Sequence, residues 1–234
     1  MSSKESAILS IDTSGSFCSV AFRNSGGRSE MRTSEGEGDH FERLPVLVSE
    51  VCAEVGVLPS SLTQIRIGLG PGSFTGLRIG LGFAKGLASA NGIELRGQSS
   101  FLACAKATVM QLESSRRGDS ISVLSDARRG ELYWGIYKST ESGRLDEIIP
   151  PQIATVEEVV AWQKNNPRSV FTTPLRGFTV SGLSDVIVQD HIGIGLIGDT
   201  VEECQECSLE TLASIEPHYI RSVAAKTIEE RRRD

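Results

Sequence analysis

Strand-length apolar runs and helix-length apolar stripes take turns along this chain, and their order predicts its architecture. Residues 7–11 are an apolar run ending in Asp12, Thr13 and Ser14; residues 17–22 alternate side to side, and residues 28–33 follow the Gly26-Gly27 turn. Alternation broken by glycine turns reads as consecutive antiparallel strands. From Phe41 to Val55 the apolar positions 41, 44, 48, 51 and 55 fall at helical spacing, with Asp39 placed to cap the helix and Gly56 to stop it. A strand over 64–69, a helix over 75–90, a short strand over 93–97 and a helix capped by Ser99 and ending near Leu112 complete the first half. A second half restarts near Asp119, with strands over 121–124, 130–137 and 145–149 and a helix over 156–164 capped by Thr155. Apolar runs over 169–171 and 192–197 and a helix around 199–204 follow. Two halves with the same strand and helix alternation predict a two-lobed α/β chain with mixed sheets and flanking helices. The division falls between an N-terminal lobe, residues 1–113, carrying the glycine-rich strand-turn-helix, and a C-terminal lobe, residues 114–234, whose last segment can return to the first.

The glycine-dense stretch over 70–88, GPGSFTGLRIGLGFAKGLA, carries the most information. A strand delivered into a helix through Gly70, Gly72 and Gly76 leaves free backbone N–H groups at a helix start, where anions settle. It is not a P-loop, because no Lys stands in the turn. Nor is it a dinucleotide fingerprint, since Lys85 follows Gly80 and Gly82 where the third glycine belongs. Ser73 sits at the helix start as a cap, and no GxSxG elbow supports a nucleophilic role for it. Within the helix, Gly76 and Gly80 form one GxxxG pair and Gly82 and Gly86 another, on two faces. Each costs about 1 kcal/mol against Ala, so close approach of another element is the natural compensation. Leu77, Ile79, Leu81, Phe83 and Leu87 surround the helix almost completely, and a helix apolar all round is either buried or shared with another chain. The expected partner interface is therefore Leu44, Leu47, Val48 and Val51 on the first helix with Gly76, Gly80, Gly82, Phe83, Gly86 and Leu87 on the second.

Composition narrows the classes further. With 39% hydrophobic and 23% charged residues the chain is ordinary globular material, no apolar run nears the roughly 20 residues of a membrane span, and residues 1–6 are too polar for a signal peptide. We expect a cytoplasmic protein with no membrane partner. Five cysteines, at 18, 52, 104, 204 and 207, make an odd set of free thiols, and the CxxC at Cys204 and Cys207 has no companion pair to build a zinc site. The histidines at 40, 191 and 218 lack ligand spacing, so no metal site is expected. A net charge of -6 argues against a chain that grips tRNA by itself. Arg231, Arg232 and Arg233 read as a solvated helix end, and Arg128 and Arg129 as a hairpin loop or a partner contact.

Four blocks, ILSIDTSGSFCSVAF, HFERLPVLVSEV, GLGPGSFTGLRIGLGFAKGLA and VLSDARRGELYWGIY, with a weaker EPHYIR at 216–221, resemble in order and spacing the TsaB (YeaZ-type) family. The resemblance implies two lobes of the actin, hexokinase and heat-shock-chaperone class. It also implies a role in tRNA threonylcarbamoyladenosine biosynthesis as an accessory, non-catalytic subunit. Its partners would be a TsaD-type catalytic subunit and a TsaE-type ATPase, with tRNA met only through the complex and a homodimer when alone. In the catalytic relative the glycine block is followed by an HxxxH pair that can hold a metal; the corresponding positions here are Ser100 and Cys104. Asp12, Thr13 and Ser14 stand where this class places a phosphate loop, so they are the candidate nucleotide contacts, against the plainer reading of an Asx turn. The chain is expected to hold no cofactor of its own, with ATP or ADP reserved for a complex interface. The alternatives are an independent ATP-dependent small-molecule kinase of the same fold, which would need a second phosphate loop where DARRG stands at 126–130, and a peptidase, which would need a triad or metal motif.

Overall fold

Each strand-length run at the start of the chain becomes a strand, and the computed structural model describes residues 6–34, 36, 38–113, 116, 118–140, 145–183, 185–190, 192, 205–207, 212 and 214–220. Strands β1 (Ala7–Asp12), β2 (Ser19–Asn24) and β3 (Ser29–Thr33) form an antiparallel meander, followed by helix α1 (His40–Val55), β4 (Gln64–Gly68), α2 (Phe74–Asn91), β5 (Glu94–Gln98) and α3 (Ser100–Gln111). The pattern then repeats with β6 (Ser120–Asp126), β7 (Glu131–Ser139), β8 (Leu145–Thr155), α4 (Val156–Asn165), β9 (Val170–Thr173) and β10 (Ile187–Val188); β11 (Gln205–Cys207) follows.

Two sheets result, ordered β11-β5-β4-β1-β2-β3 and β10-β9-β6-β7-β8. From its meander edge each sheet reads third, second, first, fourth and fifth strand of its half. The meander is antiparallel and the last two strands are parallel to the first in both. The same order twice is the two-lobed α/β arrangement of the actin and hexokinase class. It brings the carboxyl ends of β1 and β4 in one lobe, and of β6 and β9 in the other, to the loops that join the lobes.

The first core lies between the first sheet and α1 with α2. Leu9, Ile11, Val20, Phe22, Ile65 and Ile67 from the sheet meet Leu44, Val48, Val51, Leu81, Ala84 and Ala88 from the helices. Ile215, from the far end of the chain, enters the same core, and β11 pairs antiparallel with β5. Helix α3, assigned by chain order to the first lobe, packs its Phe101, Ala103 and Cys104 against Ile121, Val123 and Tyr137 of the second sheet. By packing, the changeover thus falls at β5 rather than at residue 113. The opposite face of that sheet is closed by α4, with Trp134 and Trp162 edge to face at 5.9 Å.

The expected caps form at Ser73, Ser99 and Thr155, the last as a full capping box with Glu158. Asp39 makes no side-chain cap to α1, whose other end closes on left-handed Gly56 as expected. Strand β8 continues through Pro150 and Pro151 to Thr155 instead of stopping at Ile149. It is an edge strand, where a missing N–H can face outward, and its register against β7 shifts beside Ile136. The apolar run over 192–197 and the expected helix around 199–204 lie outside the described residues except for Ile192.

Candidate partner interface

The turn over 70–73 is built from glycine because the β1 loop presses into it. Gly70 holds φ 93°, and a side chain on Gly72 would overlap the Ser14 carbonyl oxygen. One helical turn further, a methyl on Gly76 would overlap the Thr13 carbonyl oxygen, and one on Gly80 the Thr13 hydroxyl, which donates to the Gly76 carbonyl at 2.8 Å. The Gly76 and Gly80 face of α2 is therefore the seat of Thr13. The other pair differs: nothing lies within 4 Å of where a side chain at Gly82 or Gly86 would begin. The two GxxxG faces have opposite jobs, one internal and one outward.

This corrects the interface expected from periodicity. Leu44, Leu47, Val48 and Val51 are between 0% and 3% exposed and belong to the chain's own core, while Gly76 and Gly80 are buried against Thr13. A docking face must be reachable, so Leu47, Val48, Val51, Gly76 and Gly80 support that face from within, while Leu44, though buried, lines the groove between the two helices. Gly82 and Gly86 are exposed, and Phe83 and Leu87 are half-buried along the same side.

What α1 and α2 present outward is a groove of about 620 Å³, with Phe41 and Pro45 on one wall, Phe74, Arg78 and Phe83 on the other, and Gly82 opening its floor. Phe41 is 76% exposed, a large cost for an aromatic ring in water. At one end Arg78 lies over the Phe74 ring at 3.9 Å, and Phe74 meets Tyr219 at 5.3 Å between centroids. Arg78 Nε donates to the Tyr219 hydroxyl at 3.3 Å. Tyr219 arrives because the segment from Ile215 returns to the first lobe, pinned where His218 N–H donates to the Leu69 carbonyl at 2.7 Å. Periodicity missed Phe74, Arg78 and Tyr219; the EPHYIR block was the only signal for the last.

The candidate nucleotide contacts point inward. Asp12 is 1% exposed and Thr13 and Ser14 are fully buried. Asp12 Oδ1 accepts from the Ser14 N–H at 2.9 Å and from the Ser14 hydroxyl at 2.6 Å, and Oδ2 accepts from the Ser100 hydroxyl at 2.7 Å. Ser100 in turn accepts from the Gly70 N–H at 3.0 Å. Burial raises the Asp12 pKa, and the bonds from Ser14 and Ser100 oppose the rise. Gly68 leaves the room Asp12 occupies, since a side chain there would overlap the carboxylate. The loop is closed from the second lobe as well: Ser16 N–H donates to the Pro174 carbonyl at 3.0 Å, and Arg176 N–H to the Ser16 hydroxyl at 3.1 Å.

Ser100 is thus a joint between three loops, and Cys104 faces the Thr172 hydroxyl at 3.7 Å, its thiol pushed up to about 12 by burial. Cys18, Cys52 and Cys104 are free and buried; Cys204 lies outside the described residues. His40 is buried with Nε2 3.1 Å from the Gly15 carbonyl oxygen, burial lowers the His218 pKa, and His191 lies outside the described residues, as do Arg231, Arg232 and Arg233. Among the described residues no group of three His, Cys, Asp or Glu could hold a metal ion, and no helix is long and apolar enough to cross a membrane.

Fold and site define a two-lobed α/β protein of the actin and hexokinase class whose outward chemistry is an apolar groove. The family model for TsaD, tRNA N6-adenosine threonylcarbamoyltransferase, matches residues 34–230, and the chain belongs to that family. Within it the chain is TsaB-type. YeaZ from Pseudomonas aeruginosa is 25% identical, with 92% of this chain and 99% of that one covered at a TM-score of 0.68. A second structure, an uncharacterized protein with similarity to peptidase YEAZ from Pseudomonas aeruginosa, is 24% identical over 92% of this chain and 100% of that one, at 0.70. No curated protein matches the chain by sequence.

Proposed function

We propose that this chain is the accessory, non-catalytic subunit of a tRNA threonylcarbamoyladenosine-synthesising complex, docking on a TsaD-type catalytic subunit through the α1–α2 groove. The observation that carries the reading is the outward face itself: Phe41 at 76% exposure beside an open Gly82 and the Arg78, Phe74 and Tyr219 stack. Water is a poor neighbour for such a face, and a helix pair from another chain is a good one. The same face serves a homodimer when the catalytic subunit is missing. A phosphate loop whose polar groups are taken up by Ser100, Gly76 and Pro174 favours this reading over an independent kinase. ATP or ADP, the TsaE-type ATPase and tRNA then belong to surfaces completed by the partner, in the cytoplasm.

The test is capture of a TsaD-type subunit by the chain and by Phe41→Asp. Phe41 lies outside the core, so the variant keeps its fold by thermal melt. Capture lost with the fold intact is the expected result. Normal capture by a folded Phe41→Asp chain, paired with unchanged light scattering, moves the interface elsewhere.

A further inference from the structure

Among the described residues that line the groove between α1 and α2, Arg78 alone is charged, and its pairing is incomplete. It lies over the Phe74 ring at 3.9 Å, and its Nε donates to the Tyr219 hydroxyl at 3.3 Å. Those contacts use one face and one N–H of a guanidinium, whose planar fork carries further donors. The Nη groups make no hydrogen bond or ion pair with any described residue.

No carboxylate of the groove completes it. Helix α2 contains no Asp or Glu, and none of the described groove residues is acidic. Glu42, beside Phe41, and Glu216, in the segment that delivers Tyr219, are exposed and form no ion pair with a described residue. In the free chain water solvates the guanidinium, since Arg78 is exposed. A partner laid over Phe41, Gly82 and Phe83 removes that water. The desolvated charge then needs an acceptor supplied by whatever covers it.

We propose that Arg78 is a specificity residue of the groove and selects an apolar helix that carries one Asp or Glu in its buried stripe. The place of contact rests on the docking reading given above, and the chemistry rests on the open donors of Arg78. A planar guanidinium clasps a carboxylate through two N–H groups at once, and a helix can present that carboxylate from a single position. A second copy of this chain does not supply one from the same face. An isologous contact sets the groove against its own copy, which brings another Arg78 and no described lining carboxylate. The same side chain therefore favours the foreign helix and weakens self-pairing. Tyr219 is the positioning residue, because its hydroxyl holds Nε and its ring packs on Phe74 at 5.3 Å between centroids.

The test compares the full chain with Arg78→Met, which keeps a long stem over Phe74 and removes the charge, and with Arg78→Gln as a polar control. Arg78 lies outside the core, so both should melt with the parent. Affinity for a TsaD-type subunit is measured by calorimetry and self-association by sedimentation. We expect both variants to bind the subunit about 10- to 100-fold more weakly while self-association holds or tightens. Arg78→Lys should fall between, and Tyr219→Phe should show a smaller loss that vanishes in the Arg78→Met background. Replacing in turn each Asp or Glu on the subunit's facing helices by Asn or Gln should find one whose loss weakens the parent and leaves Arg78→Met unchanged. Subunit binding by Arg78→Met equal to the parent's overturns the proposal. So do equal losses of subunit binding and self-association, which make Arg78 a packing group, and so does a scan in which no carboxylate couples to it. If the parent binds no TsaD-type subunit, the docking reading fails and self-association alone decides: tightening in Arg78→Met sustains the proposal, and no change or a loss overturns it.

Discussion

The two GxxxG faces of α2 should answer the same substitution with opposite sign. Gly82→Ala adds a methyl where nothing lies within 4 Å, so it should stabilise the monomer by the helix-propensity difference, about 0.5–1 kcal/mol, or about 1–4 °C in melting temperature at this size. Gly80→Ala gains the same propensity but drives its methyl into the Thr13 hydroxyl. Overpacking there costs about 1–3 kcal/mol, and displacing Thr13 from the Gly76 carbonyl leaves a buried hydroxyl unpaired for about 1–3 kcal/mol more. Net destabilisation is roughly 1–5 kcal/mol once about 1 kcal/mol of propensity is returned. The assay is urea and thermal unfolding at one low protein concentration, so that self-association does not move the midpoints. Gly80→Ala as stable as Gly82→Ala would mean that Thr13 does not fill that face, and a destabilised Gly82→Ala would mean that the outward face is already packed.

Three further outcomes follow from individual contacts. Burial holds the Asp12 pKa above 3.8, so the folded chain binds that proton more tightly than the unfolded one; this stabilisation is present at low pH and is lost as pH rises through the folded value. Asp12→Asn should flatten that part of a urea-midpoint profile, and parallel profiles would show that another group sets it. Thr155→Ala should cost about 1 kcal/mol by unfolding, through loss of the capping box, while Thr155→Ser costs much less; equal losses would place the effect in the methyl group. Purified chain should turn over no ATP, and sustained turnover abolished by Asp12→Ala would revive the kinase reading.

Periodicity located the helices because α1 and α2 each bury one continuous stripe, and it located their caps at Ser73, Ser99 and Thr155 because those side chains have no better partner nearby. It failed at Asp39, whose backbone carbonyl rather than its carboxylate engages α1. It also failed at Pro150 and Pro151, where proline reads as a stop unless the strand is known to lie at an edge. For the interface the apolar stripe was an incomplete guide: Val48 and Val51 are apolar because they belong to the chain's own core, Leu44 both packs in that core and lines the groove, and spacing alone cannot tell the inward side of a helix from the outward one. The glycines were equally ambiguous until Thr13 was seen to occupy one pair. Tyr219 joins Arg78 across 141 residues, a separation no local pattern encodes.

That long-range contact orders events in time. Both helices of the groove emerge from the ribosome early, while the tyrosine that braces Arg78 and Phe74 is translated only after the whole second lobe. A nascent chain therefore displays the raw helix pair before it can display the finished groove. A frameshift upstream of the EPHYIR block leaves both helices in place and removes the brace, so damage at the tail is read out at a surface encoded near the start.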